Sequence, residues 1–262
     1  MQLRRTLSVL GFMLALLATL GAVVGGPAHA ADAERILKAM TDYVAAQKAI
    51  SVGFDTDVEI ITPQIQKLQF TSSGKLELAR PDKVRVSRTG GYADVELVAD
   101  GKTLTALARH AGLFAEVPAT GNLDQLVQML RSEYGVDMPG ADLILSGSYE
   151  ALMEDVIEAA HIGRGVVDGV ECEHLAFRNT ETDWQIWVEV GAKPIPRKYV
   201  ITSKSVAAAP QYTLRITDWR TDVQFAPDAF AFKAPAGAKK VAVGELGHFD
   251  EIPAGQVSGG KQ

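Results

Sequence analysis

The chain has 262 residues, with 26 Lys+Arg against 32 Asp+Glu and a formal net charge of −6. That acidic balance argues against nucleic acid as a partner and gains nothing from an anionic membrane surface. One cysteine excludes an internal disulfide framework, so the fold must rest on a hydrophobic core, which a chain of this length can bury.

The first thirty residues read as an address. Arg4 and Arg5 precede an apolar run from Leu7 to Val24, and Ala28-His29-Ala30 fits a small-x-small cleavage site. The expectation is a cleaved signal peptide over 1–30, with an uncleaved anchor as the alternative. Residues 31–262 then carry 24 Lys+Arg against 32 Asp+Glu, a net charge of −8. One domain is expected over 31–243, followed by a flexible tail over 244–262 rich in Gly, Pro and Ser.

In chain order, Asp32 to Ile50 has helical spacing, with Ile36, Leu37, Met40, Tyr43, Val44 and Ile50 on one face and Asp32 as the cap. From Ser51 the period changes to two: Val52, Phe54, Val58 and Ile60 alternate with Gly53, Asp55, Asp57 and Glu59. "KLQFTSSGKLELA" continues the alternation with Leu68, Phe70, Leu76 and Leu78. "RPDK" at 80–83 is a turn, and Asp100-Gly101 sits between two alternating runs as a hairpin. "LFAEV" at 113–117 adds a strand. Two helical stretches follow, "NLDQLVQMLRSEYG" ending at Gly135 and "SYEALMEDVIEAA" capped by Ser148, with Leu152, Val156 and Ile157 facing inward. Strands resume near His161 and run through "VECEHLAFRN", "DWQIWVEV", "RKYVITSK" and "YTLRITDWR". About ten strands with helices at the start and middle predict an α+β fold, one strongly curved antiparallel sheet under a helical cover.

The stretch "GVECEHLAF" (169–177) is where chemistry would be sought. On a strand, Cys172 and His174 share one face and Glu171 and Glu173 the other. A structural zinc needs four ligands, and His110, His161 and His248 are too widely spaced to complete a set. A Cys172 nucleophile with His174 as base lacks a third, orienting group. The plainer reading is a buried cysteine beside a hydrogen-bonded histidine on a strand. "DWQIW" sets Trp184, Ile186 and Val188 on one face and Trp187 with Gln185 on the other, where packing against a neighbouring strand is the expectation for Trp187 and stacking on a ligand or a place at a cavity mouth the alternative. No hydrolase elbow, phosphate loop or His-Glu-x-x-His is present, so no enzyme, cofactor or metal is expected.

Three phrases, "GKLELARPDKVRV", "IWVEVGAKPIPRKYVIT" and "DAFAFKAPAGAKKV", resemble the fold shared by the periplasmic outer-membrane lipoprotein carriers and their receptors (LolA-like). "GVECEHLAF", "DWQIW", "PRKYVIT" and "PQYTLRITDW" look more closely like a predicted periplasmic family of unknown function, over most of residues 32–243. The resemblance implies a periplasmic location and an unclosed β-barrel with an apolar cavity under helical lids. It implies no catalytic residue. The related carriers latch the lid with one arginine, which maps onto no position here by motif.

The function expected is non-enzymatic binding of a hydrophobic ligand, a lipid or a lipidated chain end. The cavity candidates are Phe54, Val58, Phe70, Leu78, Val86, Ile186, Ile201 and Leu214 on the sheet, with Leu126, Met129 and Met153 on the lids. Methionines suit a lid over acyl chains because thioethers adapt to irregular shapes, and they serve equally well as core filling. The alternatives are a barrel packed shut that binds an envelope protein partner through its surface and, last, a metal protein or enzyme at Cys172 and His174. No membrane span is expected after cleavage.

Overall fold

The computed structural model describes residues 27–247 apart from Asp137. Helix α1 (Pro27–Ala46) leads into β1 (Ala49–Ile61), β2 (Lys67–Ala79), β3 (Lys83–Gly90), β4 (Asp94–Asp100), β5 (Thr103–Ala108) and β6 (Leu113–Pro118). A helical segment follows: α2 (Leu123–Tyr134), a 3₁₀ turn at Ala141–Ile144, and α3 (Ser148–Met153). The chain then returns to strands with β7 (Glu158–Val167), β8 (Val170–Arg178), β9 (Thr182–Glu189), β10 (Pro196–Ser203), β11 (Gln211–Thr221) and the short β12 (Lys239–Lys240). The expected signal peptide falls almost wholly on residues outside those described.

The twelve described strands form one sheet in the order β12-β6-β5-β4-β3-β2-β1-β11-β10-β9-β8-β7, antiparallel except for the β12–β6 pair. Laid flat at about 4.8 Å per strand it would span about 50 Å. Leu104 on β5 and Leu175 on β8, near opposite edges, nevertheless share one core cluster with helix residues Leu37, Met40 and Leu126. The sheet is therefore curved and unclosed, with the helices on its concave side.

The alternation read from the sequence explains which residues face that side. Register places Ile50, Leu78, Val84 and Ala99 in one row across β1–β4, continued by Leu104 on β5. The next row is Val52, Leu76, Val86, Leu97 and Ala106. The first row is buried throughout; in the second, Leu76, Val86, Leu97 and Ala106 keep partial exposure. α1 covers β7, β8 and β9 with Ala33, Leu37, Met40 and Val44, all fully buried.

The convex side of β3–β6 is covered differently. After β11 the chain crosses it as an irregular strap ending in β12. Arg85 on β3 donates to the carbonyls of Ala229 (2.7 Å) and Ala231 (2.8 Å), and Phe232 packs on Phe114 of β6 at 5.1 Å between ring centroids. Beneath the strap, Glu96 is buried and paired with both Arg85 and Arg109.

The structure corrects four local expectations. Ile50 belongs to β1 and not to the first helix, because pairing with Leu78 and Thr221 outweighs its helical spacing. Asp32 is no cap: α1 starts at Pro27, a residue preorganised for a first helical position, and Asp32 pairs with Arg35 at 3.0 Å. The helix from Ser148 stops at Met153, with Asp155 at φ 57° beyond it, and Ile157 is 63% exposed instead of inward. Ser148 does not cap it; its hydroxyl donates to the Asp142 carbonyl at 2.6 Å.

Candidate functional site

Cys172 and His174 lie on the convex face of β8, as the alternation required. Cys172 is fully buried, and that burial raises its thiol pKa. His174 stacks on Trp187 (4.1 Å between centroids, 11° between planes) and its Nε2 bonds Gln185 Oε1 at 2.9 Å. Lys198 Nζ stands 4.9 Å from the Trp187 ring centre. Burial lowers the His174 pKa, with the Gln185 hydrogen bond acting against it. Among the described residues, no group of three or more His, Cys, Asp or Glu side chains is placed to hold a metal. This is a packed cross-strand ladder.

The candidate cavity residues divide into three sets. Leu78 and Ile186 are fully buried, and Leu214 and Leu126 are also buried, all inside the core cluster. Phe54, Val86, Ile201, Met129 and Met153 are half-buried and pack against that cluster from one side. Val58 and Phe70 stand opposite each other across β1 and β2, half-buried and outside the cluster, near the β1–β2 turn. Tyr212 joins them across β11, paired with both Val58 and Ile201.

One close approach shapes the middle of this surface. Gly74 lies opposite Phe54, and a Cβ there would come within 2.2 Å of the Phe54 ring. The missing side chain lets the ring lie flat across β2. Next to it, Thr56 and Ser72 are buried and share a 2.6 Å hydrogen bond, a polar break between Phe54 and the Val58–Phe70 pair.

The helical cover is tied down by few polar contacts. Its α2 has a full capping box between Asn122 and Gln125 and a left-handed Gly135 at its end. Arg80, at the end of β2, donates to the Gln47 carbonyl (3.1 Å) and the Ile144 carbonyl (2.7 Å), joining the α1–β1 turn to the 3₁₀ turn. Partial desolvation lowers its pKa. Arg131 pairs with Asp142 at 2.9 Å, and the Tyr212 hydroxyl donates to the Pro139 carbonyl at 3.2 Å. Sequence reading missed Arg80; its only signal was its place before the proline of "RPDK".

A cleft of about 220 Å³ opens between α2 and the β4 and β6 ends, lined in part by Ala99, Ala119, Leu126 and Met129 and by polar Asn122, Gln125 and Glu133. It is smaller than the roughly 300–1,000 Å³ typical of small-molecule sites. Of the candidate residues, only Leu126 and Met129 border it.

The arrangement is thus an unclosed, helix-covered antiparallel sheet with an apolar concave face, the architecture that the sequence resemblance implied. The chain belongs to the family described as predicted periplasmic protein (DUF2092), whose profile matches residues 33–244. Its location is the periplasm. No curated protein matches it. Similar solved structures include an uncharacterised conserved protein from Thermus thermophilus, 10% identical, with 80% of this chain and 99% of that chain covered and a TM-score of 0.47. The lipoprotein LppX of Mycobacterium tuberculosis is 10% identical, covering 74% and 98%, with a TM-score of 0.45. A LolA superfamily protein of Nitrosomonas europaea is 12% identical, covering 77% and 97%, with a TM-score of 0.30. At such identities nothing about ligands passes from them to this chain.

Proposed function

We propose that the protein binds a hydrophobic ligand, the acyl part of a lipid or of a lipidated chain end, on its concave face and performs no chemistry on it. The observation that carries this reading is the row Leu76, Val86 and Leu97, with Phe54 beside it: apolar, inward-facing and only half-buried under its cover. Burying such surface is favourable at about 25 cal/mol per Å². A fold with no use for that row gains by closing over it.

The small cleft adds a condition. A ligand seated beneath the cover would enter by movement of the segment from α2 to the 3₁₀ turn, with Gly135 (φ 63°) and Gly140 (φ 89°) as hinges and Arg80 as the tie that is broken. Leu78, Ile186, Leu214 and Leu126 then form the floor and cover rather than the entrance.

The second reading is a sheet packed shut that acts through its surface, favoured by the full burial of Leu78 and Ile186. Titration of a fluorescent acyl probe separates the two. On the ligand reading the protein takes up the probe, Val86→Gln weakens uptake about tenfold, and Glu77→Gln on the opposite face leaves it unchanged. No uptake by the wild-type protein leaves the packed module.

A further inference from the structure

The two ends of the sheet differ in a way the ligand reading does not require. The turns β1–β2, β3–β4, β5–β6, β8–β9 and β10–β11 all fall at one end, as the antiparallel order dictates, and the start of β7 joins them there. Six large hydrophobic residues are exposed among the described residues, and four stand at this end: Ile65 (70%), Tyr92 (58%), Ile157 and Val206. The concave face reaches the same end through Val58 and Phe70, and Phe70 meets Tyr92 edge-on at 5.3 Å.

Two further features bear on the turns that carry Ile65, Tyr92 and Val206. In a chain with 32 acidic residues, the tips 62–66, 91–93 and 204–210 contain none, and their one charge is Lys204. Ile65 has φ 63°, a left-handed backbone that β-branched residues rarely adopt. A glycine or asparagine would relieve that strain, and a polar residue would suit the 70% exposure. The tip keeps isoleucine against both preferences, and such strain concentrates at functional positions.

We propose that Ile65, Tyr92 and Val206 form a docking rim that sets the open end of the concave face against a phospholipid bilayer. An apolar, acid-free rim on an otherwise acidic protein suits shallow insertion at the headgroup boundary, with the acidic bulk held away. Tyr92 has the amphipathic ring favoured at that depth. The rim rests on the ligand reading for its purpose, since it places the entrance where acyl chains are, but not for its test.

That test is flotation of periplasm-purified protein with vesicles of phosphatidylethanolamine and phosphatidylglycerol. The wild type should float with the vesicles. Ile65→Asn should lower partitioning about tenfold while leaving the melting temperature unchanged or raised, which separates lost insertion from lost folding. Ile65→Asn with Tyr92→Ser and Val206→Ser should abolish flotation, and Val166→Ser, at the other end of β7, should not alter it. A wild type that stays with the buffer, or a triple variant that floats equally well, overturns the rim. Acyl-probe uptake by a protein that does not float would sink the rim alone; flotation without uptake would sink the ligand reading alone.

Discussion

Cys172 shows how a suggestive pair of residues resolves into packing. The thiol donates weakly to the Val170 carbonyl at 3.5 Å and is covered completely, and the neighbouring His174 is committed to Trp187 and Gln185. Cys172→Ser should cost about 1–3 kcal/mol in a urea titration, because a hydroxyl gains no new partner there. Iodoacetamide should label Cys172 only after unfolding, since burial both shields the thiol and raises its pKa. For His174 the shift is downward, so the folded state binds its proton less readily than the unfolded chain. Its contribution to stability is complete above the unfolded value of about 6.5 and is lost as pH falls below it. A titration of the His174 ring signals by NMR should give a midpoint below about 6.5. Stoichiometric zinc in purified protein, lost in Cys172→Ser, would contradict this description.

Among the elements, Arg80 is one tie of the cover and Arg85 one tie of the strap. Arg80→Met should remove two charge-assisted hydrogen bonds, lower stability by about 2–3 kcal/mol and speed amide exchange over residues 135–147. Unchanged exchange there would mean that Arg80 does not hold the cover closed. Glu96→Gln should weaken the strap, because it leaves Arg85 and Arg109 facing each other without a carboxylate, and limited proteolysis between 222 and 238 should accelerate. The strands were legible because period two survives in almost all of them: the inner faces of β1, β2 and β9 follow the sequence alternation residue by residue. Helix ends were less legible. Ile50 fits both periods until its strand partners are known, and the end of α3 depends on backbone at Glu154 and Asp155 that no apolar pattern marks. Arg80 and the strap contacts of Arg85 join positions 64 and 144 apart in sequence, which periodicity cannot reveal.

For the molecule as a whole, the central issue is whether the concave face holds a ligand or only a core. Hydrophobic alternation marks the inner face of every strand equally, so Leu78 and Val86 looked alike in the sequence. Depth of burial separates them. Leu78→Ala should cost the full core penalty of about 2–5 kcal/mol, against the milder effect expected for a residue bordering an open cavity. Val86→Ala, with its side chain only partly buried, should cost about 1 kcal/mol or less. Native mass spectrometry of protein purified gently from the periplasm tests the central claim most directly. A bound hydrophobic ligand predicts a lipid-mass adduct on the wild type that Val86→Gln diminishes. A clean apo mass under conditions that preserve a known lipid complex would contradict it.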